Sequence, residues 1–414
     1  MKSNNNCLIA QSGGPTTAIN ASLAGVIQQA LESGEIKHIL GALNGIQGVL
    51  NEEFLDLSEL FGSNADSLDN LKSTPSMYLG SCRYRLPNIT DNQSDYKTIF
   101  QVLSKHNIKY FFYIGGNDSM DTVAKLSSYA NKMDIDVRII GIPKTIDNDL
   151  ACIDHTPGYG SSAKYIASSI LEIAHDAYIY DTKSVSIVEI MGRNAGWLTA
   201  ASALARTAYS SAPHLIYLPE TPFSTDSFLE DVKEQLNTRN HVIIAVSEGI
   251  KDEKGCYVSA NTNGIDQFGH VMLSGTGKYL ETLVKNKIGC KVRSVELNVL
   301  QRCASHISSQ TDLDEAFSLG VYATSIALQG QTGVMVTLKR LSNAPYQIKY
   351  SFVPIENVAN IEKCVPQEWI TPEGNDITQE LVEYIAPLIQ GEVAVNYSGG
   401  IPSYLPVEHL YERV

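Results

Sequence analysis

Apolar and polar positions fall into alternating blocks along the chain, and the blocks carry two different periods. Short apolar runs at Cys7–Ala10, Ile39–Ala42, Tyr110–Ile114 and Val137–Ile142 read as strands buried on both faces. Stretches of helical spacing lie between them. Ile19, Leu23, Val26, Ile27, Ala30 and Leu31 share one helix face, and Gly34 stops it. Ile99, Val102 and Leu103 mark a second helix, which closes at His106, and a third runs from the turn at 115–120 to about Lys132. The polar stretch 62–76 reads as a surface connection.

The same alternation continues beyond a Pro-Gly hinge at Pro157-Gly158. A long helix to about Tyr178 is followed by strands at Val185–Ile190, Leu215–Leu218 and His241–Val246. Residues 251–269 read as a Gly/Asn/Asp-rich loop, and a helix follows through Leu280 and Leu283. Val292–Leu300 is strand-like, Asp312–Glu315 opens a helix to about Leu328, and Gly333–Lys339 is a strand. The tail after Ser342 shows no clear period. Repeated βα units predict an α/β protein of two doubly wound, Rossmann-like domains with the active site in the cleft between them. The expected division is 1–157 with about 303–345, and 158–302 with about 346–414.

Composition narrows the function. A chain of 414 residues with 43% hydrophobic content builds two or three cores. A formal charge of −14 disfavours nucleic acid and anionic membranes as partners, and no apolar run is long enough for a span. Met1–Asn6 lacks the apolar region of a signal peptide, so a cytoplasmic location is expected. Seven scattered cysteines without metal spacing fit reduced thiols.

The chemistry gathers at the carboxyl ends of the predicted strands. Gly13-Gly14 and Gly115-Gly116 each join a strand to a helix, the geometry in which free N–H groups meet a phosphate. Either turn alone fits a ligand-free βα connection equally well. A repeat of the turn in one sheet favours a polyphosphate. After Pro143 comes Lys144-Thr-Ile-Asp-Asn-Asp149, an anion binder, a hydroxyl and two carboxylates. Asp147 is placed to take a proton from a sugar hydroxyl while Lys144 neutralises the phosphate moved. Arg83 follows a glycine turn, Met191-Gly192-Arg193 follows another strand, and Glu248 a third. Arginine forks suit phosphate clamps.

Pro143–Asp149 together with Met191–Arg193 resembles the phosphofructokinase family over about residues 7–330. The resemblance implies Asp147 as general base toward the 1-hydroxyl of fructose 6-phosphate. It implies Mg²⁺ near Asn117 and Asp149, and Gly13, Gly14, Lys144 and Arg83 at the donor phosphates. Thr145, Met191, Gly192, Arg193 and Glu248 would contact the sugar, while Arg293 and Arg302 would hold its 6-phosphate, some of them across a homodimer or homotetramer. Asp118 and Lys144 stand where ATP users often carry glycine, which implies the pyrophosphate-dependent branch and nearly reversible transfer. Val299, Asn298 and Ser184 depart from the family pattern at the sugar phosphate, which leaves a longer ketose phosphate such as sedoheptulose 7-phosphate as a rival acceptor. An ATP-dependent sugar-phosphate kinase is the rival donor reading. An NAD-kinase-like protein leaves Met191–Arg193 and Glu248 unexplained. Intact Asp147 and Arg193 argue against a non-catalytic subunit, and a dehydrogenase lacks its dinucleotide fingerprint.

Overall fold

The computed structural model describes residues 5–62, 65–258 and 275–410; the expected 251–269 loop lies outside the described residues from 259 onward. The strands of its two larger sheets in chain order are β1 (Asn5–Gln11), β2 (Ile36–Ala42), β3 (Phe54–Asp56), β4 (Ile108–Gly115), β5 (Arg138–Pro143), β6 (Ser184–Ile190), β7 (Leu215–Tyr217), β8 (His241–Ser247), β9 (Lys291–Glu296), β10 (Val334–Asn343) and β11 (Tyr346–Pro354). The chain divides into two compact units. One comprises Met1–Ser161, Arg302–Glu362 and Gly391–Val414, the other Ser162–Gln301 and Lys363–Gln390.

The first unit is built on a 7-stranded sheet of order β11-β10-β5-β4-β1-β2-β3. Its interior pairs are parallel, and only β2/β3 and β10/β11 are antiparallel. Leu8, Ile9, Phe111, Phe112, Ile139 and Ile140 are buried from both faces, which is why β1, β4 and β5 read as continuous apolar runs. Helices Ile19–Ser33 and Gln310–Leu328 pack with their backbones nearly touching. A Cβ on Gly25 would lie 2.0 Å from Phe317 O, and one on Gly320 2.2 Å from Ser22 O. Chain order reverses between β1 and β4, so the carboxyl ends of these strands form a topological switch point.

The second unit carries a 4-stranded parallel sheet of order β7-β8-β6-β9. Val185, Ile187, Val242 and Ile244 fill its core with Phe228 and Leu280 from flanking helices. Among the described residues no helix is long and apolar enough to cross a membrane.

The structure corrects several expectations. Residues 346–362 and 391–414 belong to the first unit, not the second, because β11 pairs along the whole of β10. β11 alternates half-buried and exposed positions and lies at the sheet edge, so it carries no apolar run to mark it. The polar stretch 62–76 contains the helix Ala65–Ser73. β9 stops at Glu296, and the expected strand continuation becomes a turn and the short helix Leu300–Cys303.

Candidate active site

β1, β4 and β5 end side by side, so their connecting turns meet. β1 runs into Gly13, held at φ +83°, a conformation costly for any residue with a Cβ. Lys144 follows β5 and is 1% exposed. Its Nζ donates to Ser12 O at 3.0 Å and Gly14 O at 2.6 Å, and it lies 3.3 Å from where a Cβ on Gly13 would sit. The lysine thus builds the glycine turn as well as charging it, with two of its donors spent on carbonyls. Burial is the main influence on this ammonium and depresses it; Asp147 opposes that, Arg302 reinforces it and Asp149 opposes it, leaving it at about 7.

The β4 turn closes the other side. Lys144 N donates to Gly115 O at 2.9 Å. Helix Asn117–Lys132 then starts at Gly116 with no side chain capping its first N–H groups, which leaves them for an anion. Asp118 is half-buried in this first turn. Asn117 is fixed at the helix start: its amide donates to Ile361 O at 3.2 Å and its carbonyl accepts from Asn360 N at 3.1 Å. That asparagine fastens the segment after β11 to the helix start.

The loop after Lys144 alternates in burial. Ile146, Asn148 and Leu150 are buried; Thr145, Asp147 and Asp149 are half-buried. Asn148 turns the chain at φ +53° and accepts from Thr156 N at 2.9 Å. Thr145 N donates to Pro157 O at 3.1 Å, and Asp147 N donates to Thr145 Oγ1 at 3.1 Å. Both carboxylates are therefore presented from a loop pinned at its two ends. The return limb is gripped by helix Gln310–Leu328, where Asp312 accepts from Gly158 N and Ser161 N at 2.8 and 3.0 Å.

Ser81 Oγ donates to Gly13 O at 2.8 Å, so the turn carrying exposed Arg83 also reaches the glycine turn. That turn is set by Gln11, whose side chain accepts from Leu79 N at 2.9 Å and donates to Asn20 Oδ1 at 3.0 Å. Sequence reasoning missed both positioning residues; a polar residue ending a buried strand was the only signal.

In the second unit, the carboxyl ends of β6, β8 and β9 enclose a cavity of about 110 Å³ lined by Met191, Glu248, Asn298 and Gln301 among others. Gly192 sits at φ +132°, where its N faces Glu248 Oε1 at 3.4 Å and its O accepts from Ser247 Oγ at 2.5 Å. Among the described residues Arg193 Nε is buried without a hydrogen-bond partner, an orphaned donor suited to an anionic oxygen. Asn298 adopts φ +44°, which explains how asparagine replaces a glycine there. Arg293 is not brought to this cluster. It pairs in register with Ser186, in the amino-terminal half of β6, and contacts Asp176 at 3.2 Å. Ser184 Oγ contacts His241 Nδ1 at 2.9 Å.

A buried cation under two glycine turns, an uncapped helix start and paired carboxylates at a switch point are the parts of a phosphoryl-transfer site. The chain belongs to the phosphofructokinase family, whose model, described as "Phosphofructokinase", matches residues 6–327. It is similar to the pyrophosphate–fructose 6-phosphate 1-phosphotransferases of Xanthomonas campestris pv. campestris (41% identical, 98% of this chain and 97% of the relative) and Halomonas elongata (38%, 99% and 97%). The crystal structure of a pyrophosphate-dependent phosphofructokinase from Nitrosospira multiformis superposes with a TM-score of 0.87 at 38% identity, covering 97% of this chain and 96% of that one.

Proposed function

We propose that the protein transfers a phosphoryl group, reversibly, from pyrophosphate to the 1-hydroxyl of fructose 6-phosphate. The carrying observation is near-full-length similarity to enzymes of that name, joined to a buried lysine where the donor phosphates would lie. Donor chemistry is assigned to the first unit and most acceptor contacts to the second.

Asp147 accepts the proton of the 1-hydroxyl as its oxygen attacks the terminal phosphorus. The new O–P bond forms while the bridging P–O bond of pyrophosphate breaks, and inorganic phosphate leaves. Lys144, Arg83 and the N–H groups at Gly13, Gly14 and the helix start neutralise the charge on the moving group. Asp118, beside that helix start, disfavours an α-phosphate and nucleoside by charge and bulk. Met191, Gly192, Arg193, Glu248 and Thr145 hold the sugar. Arg293, distant from them within one chain, is assigned to a neighbouring copy's site, which fits a homo-oligomer.

Mg²⁺ fits this donor set. Asn117 and Asp149, the residues expected at the metal, are both half-buried, and among the described residues no group of three or more metal-binding side chains forms a closed cage. An ion that keeps waters and takes phosphate oxygens needs no more protein ligands than these. Held there by Asn117 and Asp149, it would supply positive charge against the donor phosphate. Asn117 Oδ1 also accepts from Asn360 N at 3.1 Å, which orients the amide. A soluble metabolic enzyme of this kind belongs in the cytoplasm.

The test is a donor exchange with purified protein, Mg²⁺ and fructose 6-phosphate. Turnover with pyrophosphate and little with ATP is expected; faster turnover with ATP defeats the reading.

A further inference from the structure

Glu189 is a buried carboxylate with no part in the transfer as described. It stands one residue before the end of β6, is 5% exposed and lines the second unit's cavity. Its backbone and side chain hold different elements. Glu189 O accepts from Leu297 N at 3.1 Å, where the turn carrying Asn298 and Gln301 begins. Glu189 Oε2 accepts from Gly277 N at 2.8 Å, in the first turn of helix Thr276–Lys287. Burial raises this carboxyl's pKa; Gly277 N opposes that, Glu296, its register partner on β9, adds to it, and the N–H groups of Thr276 and Gly275 oppose it. The approach is close, since a Cβ on Gly277 would lie 3.3 Å from Glu189 Oε2.

We propose that Glu189 is a positioning residue for acceptor binding: it fixes the start of helix Thr276–Lys287, and Thr276 in that start fixes Glu248 at the sugar. This rests on the acceptor reading above. Thr276 is fully buried, and its Oγ1 donates to Glu248 O at 3.0 Å. Glu248 N donates to Ile190 O at 2.9 Å, so β6 holds one side of the Glu248 backbone and the helix start holds the other. Gly275 is the helix N-cap, at φ +81°, and makes no side-chain hydrogen bond to it. A serine or aspartate at that position would satisfy the free N–H groups without fixing where the helix sits. A carboxylate reaching over from β6 satisfies them and also ties the helix to the strand that leads into Met191 and Gly192. Its charge meets the positive end of the helix dipole, which makes the tie stronger than a neutral cap.

The test is steady-state kinetics with pyrophosphate and Mg²⁺ on wild type, Glu189→Ala, Glu189→Gln, Thr276→Val and the double variant Glu189→Ala/Thr276→Val, with urea unfolding of each. Each single truncation is expected to raise KM for fructose 6-phosphate about 5- to 50-fold, while KM for pyrophosphate stays within about twofold. Glu189→Gln should recover much of the loss, because its amide oxygen still accepts from Gly277 N. The double variant should be little worse than either single one, as for two links of one chain. An unchanged KM for fructose 6-phosphate in Glu189→Ala, with a lower urea midpoint, overturns the proposal and leaves a helix cap alone. Fully additive effects overturn the route through Thr276. A parallel rise in both KM values also overturns the proposal, as a defect of folding. Where Glu189→Ala does not fold, Thr276→Val decides by the same criterion. Wild type without turnover of fructose 6-phosphate and pyrophosphate defeats the acceptor reading itself, an outcome read before any variant is made.

Discussion

His155 should make this protein lose stability as pH rises, through a buried ion cluster behind the catalytic loop. The imidazole is 1% exposed and lies between two carboxylates, Nδ1 at 2.7 Å from Asp154 Oδ1 and Nε2 at 2.5 Å from Glu315 Oε2. Arg340 Nε donates to Asp154 Oδ1 at 3.0 Å, and Tyr346 OH donates to Glu315 Oε1 at 2.6 Å. Burial, the largest influence, would lower the imidazole's pKa; Glu315 and then Asp154 outweigh it and raise it from 6.5 to about 9. At about 1.4 kcal/mol for each tenfold in proton affinity, that difference is about 3 kcal/mol of stability. A raised folded-state value means the contribution is complete below pH 6.5, fades as pH climbs and is gone above about 9. Lys144, depressed to about 7, works in the opposite sense, because the unfolded chain binds its proton more tightly. The readout is therefore a difference. Urea unfolding of wild type and His155→Gln at pH 6.5, 8 and 9.5 should show the gap between them shrinking by about 3 kcal/mol across the series. A gap that stays constant with pH would refute the reasoning. Asp154 is held low, burial being outweighed by His155 and Arg340, so its share is lost only on the acid side.

Other outcomes follow from the same geometry. Pyrophosphate should recharge Lys144, so binding at pH 8 should take up close to one proton; calorimetry in buffers of different ionisation enthalpy checks this, and wild type and Lys144→Met should differ by that uptake. As pH rises above about 7, KM for pyrophosphate should climb while KM for fructose 6-phosphate changes less. Gly320→Ala should push helices Ile19–Ser33 and Gln310–Leu328 apart and cost about 1–3 kcal/mol, read as a lower urea midpoint. Asp147→Ala should lower kcat by about 10²- to 10⁴-fold with pyrophosphate affinity largely kept; near-normal turnover would remove the general base from the mechanism.

The fold was legible where burial and periodicity agree. β1, β4, β5, β6 and β8 are covered on both faces and so read as apolar runs. β3 and β11 lie at sheet edges, where one row of backbone groups faces away from the sheet and no apolar pattern is required. The helix Thr225–Thr238 sits between two recognised strands without having been marked itself; only Phe228, Leu229, Val232 and Leu236 of it are buried. Within the candidate site, the glycine turns and Lys144 were legible because backbone conformation and a rare buried cation leave few alternatives. Gln11, Asn20 and His155 were not, since each acts on a segment far away in sequence.

By itself the sequence determined the strand–turn–helix units, their polar carboxyl ends and a Lys-Thr-Asp-Asp set dense enough to identify a family. These are local properties: a glycine pair, a proline stop and an apolar run act within a few residues of themselves. Tertiary structure alone decided which turns share a wall. Only pairing of β1 with β4 and of β4 with β5 puts Lys144 beneath Gly13 and Gly14, and only the returning segment puts Arg302 beside them. The reason is long-range packing: which strand lies next to which is set by how the cores fill, and charge proximity follows from that order, not from spacing along the chain.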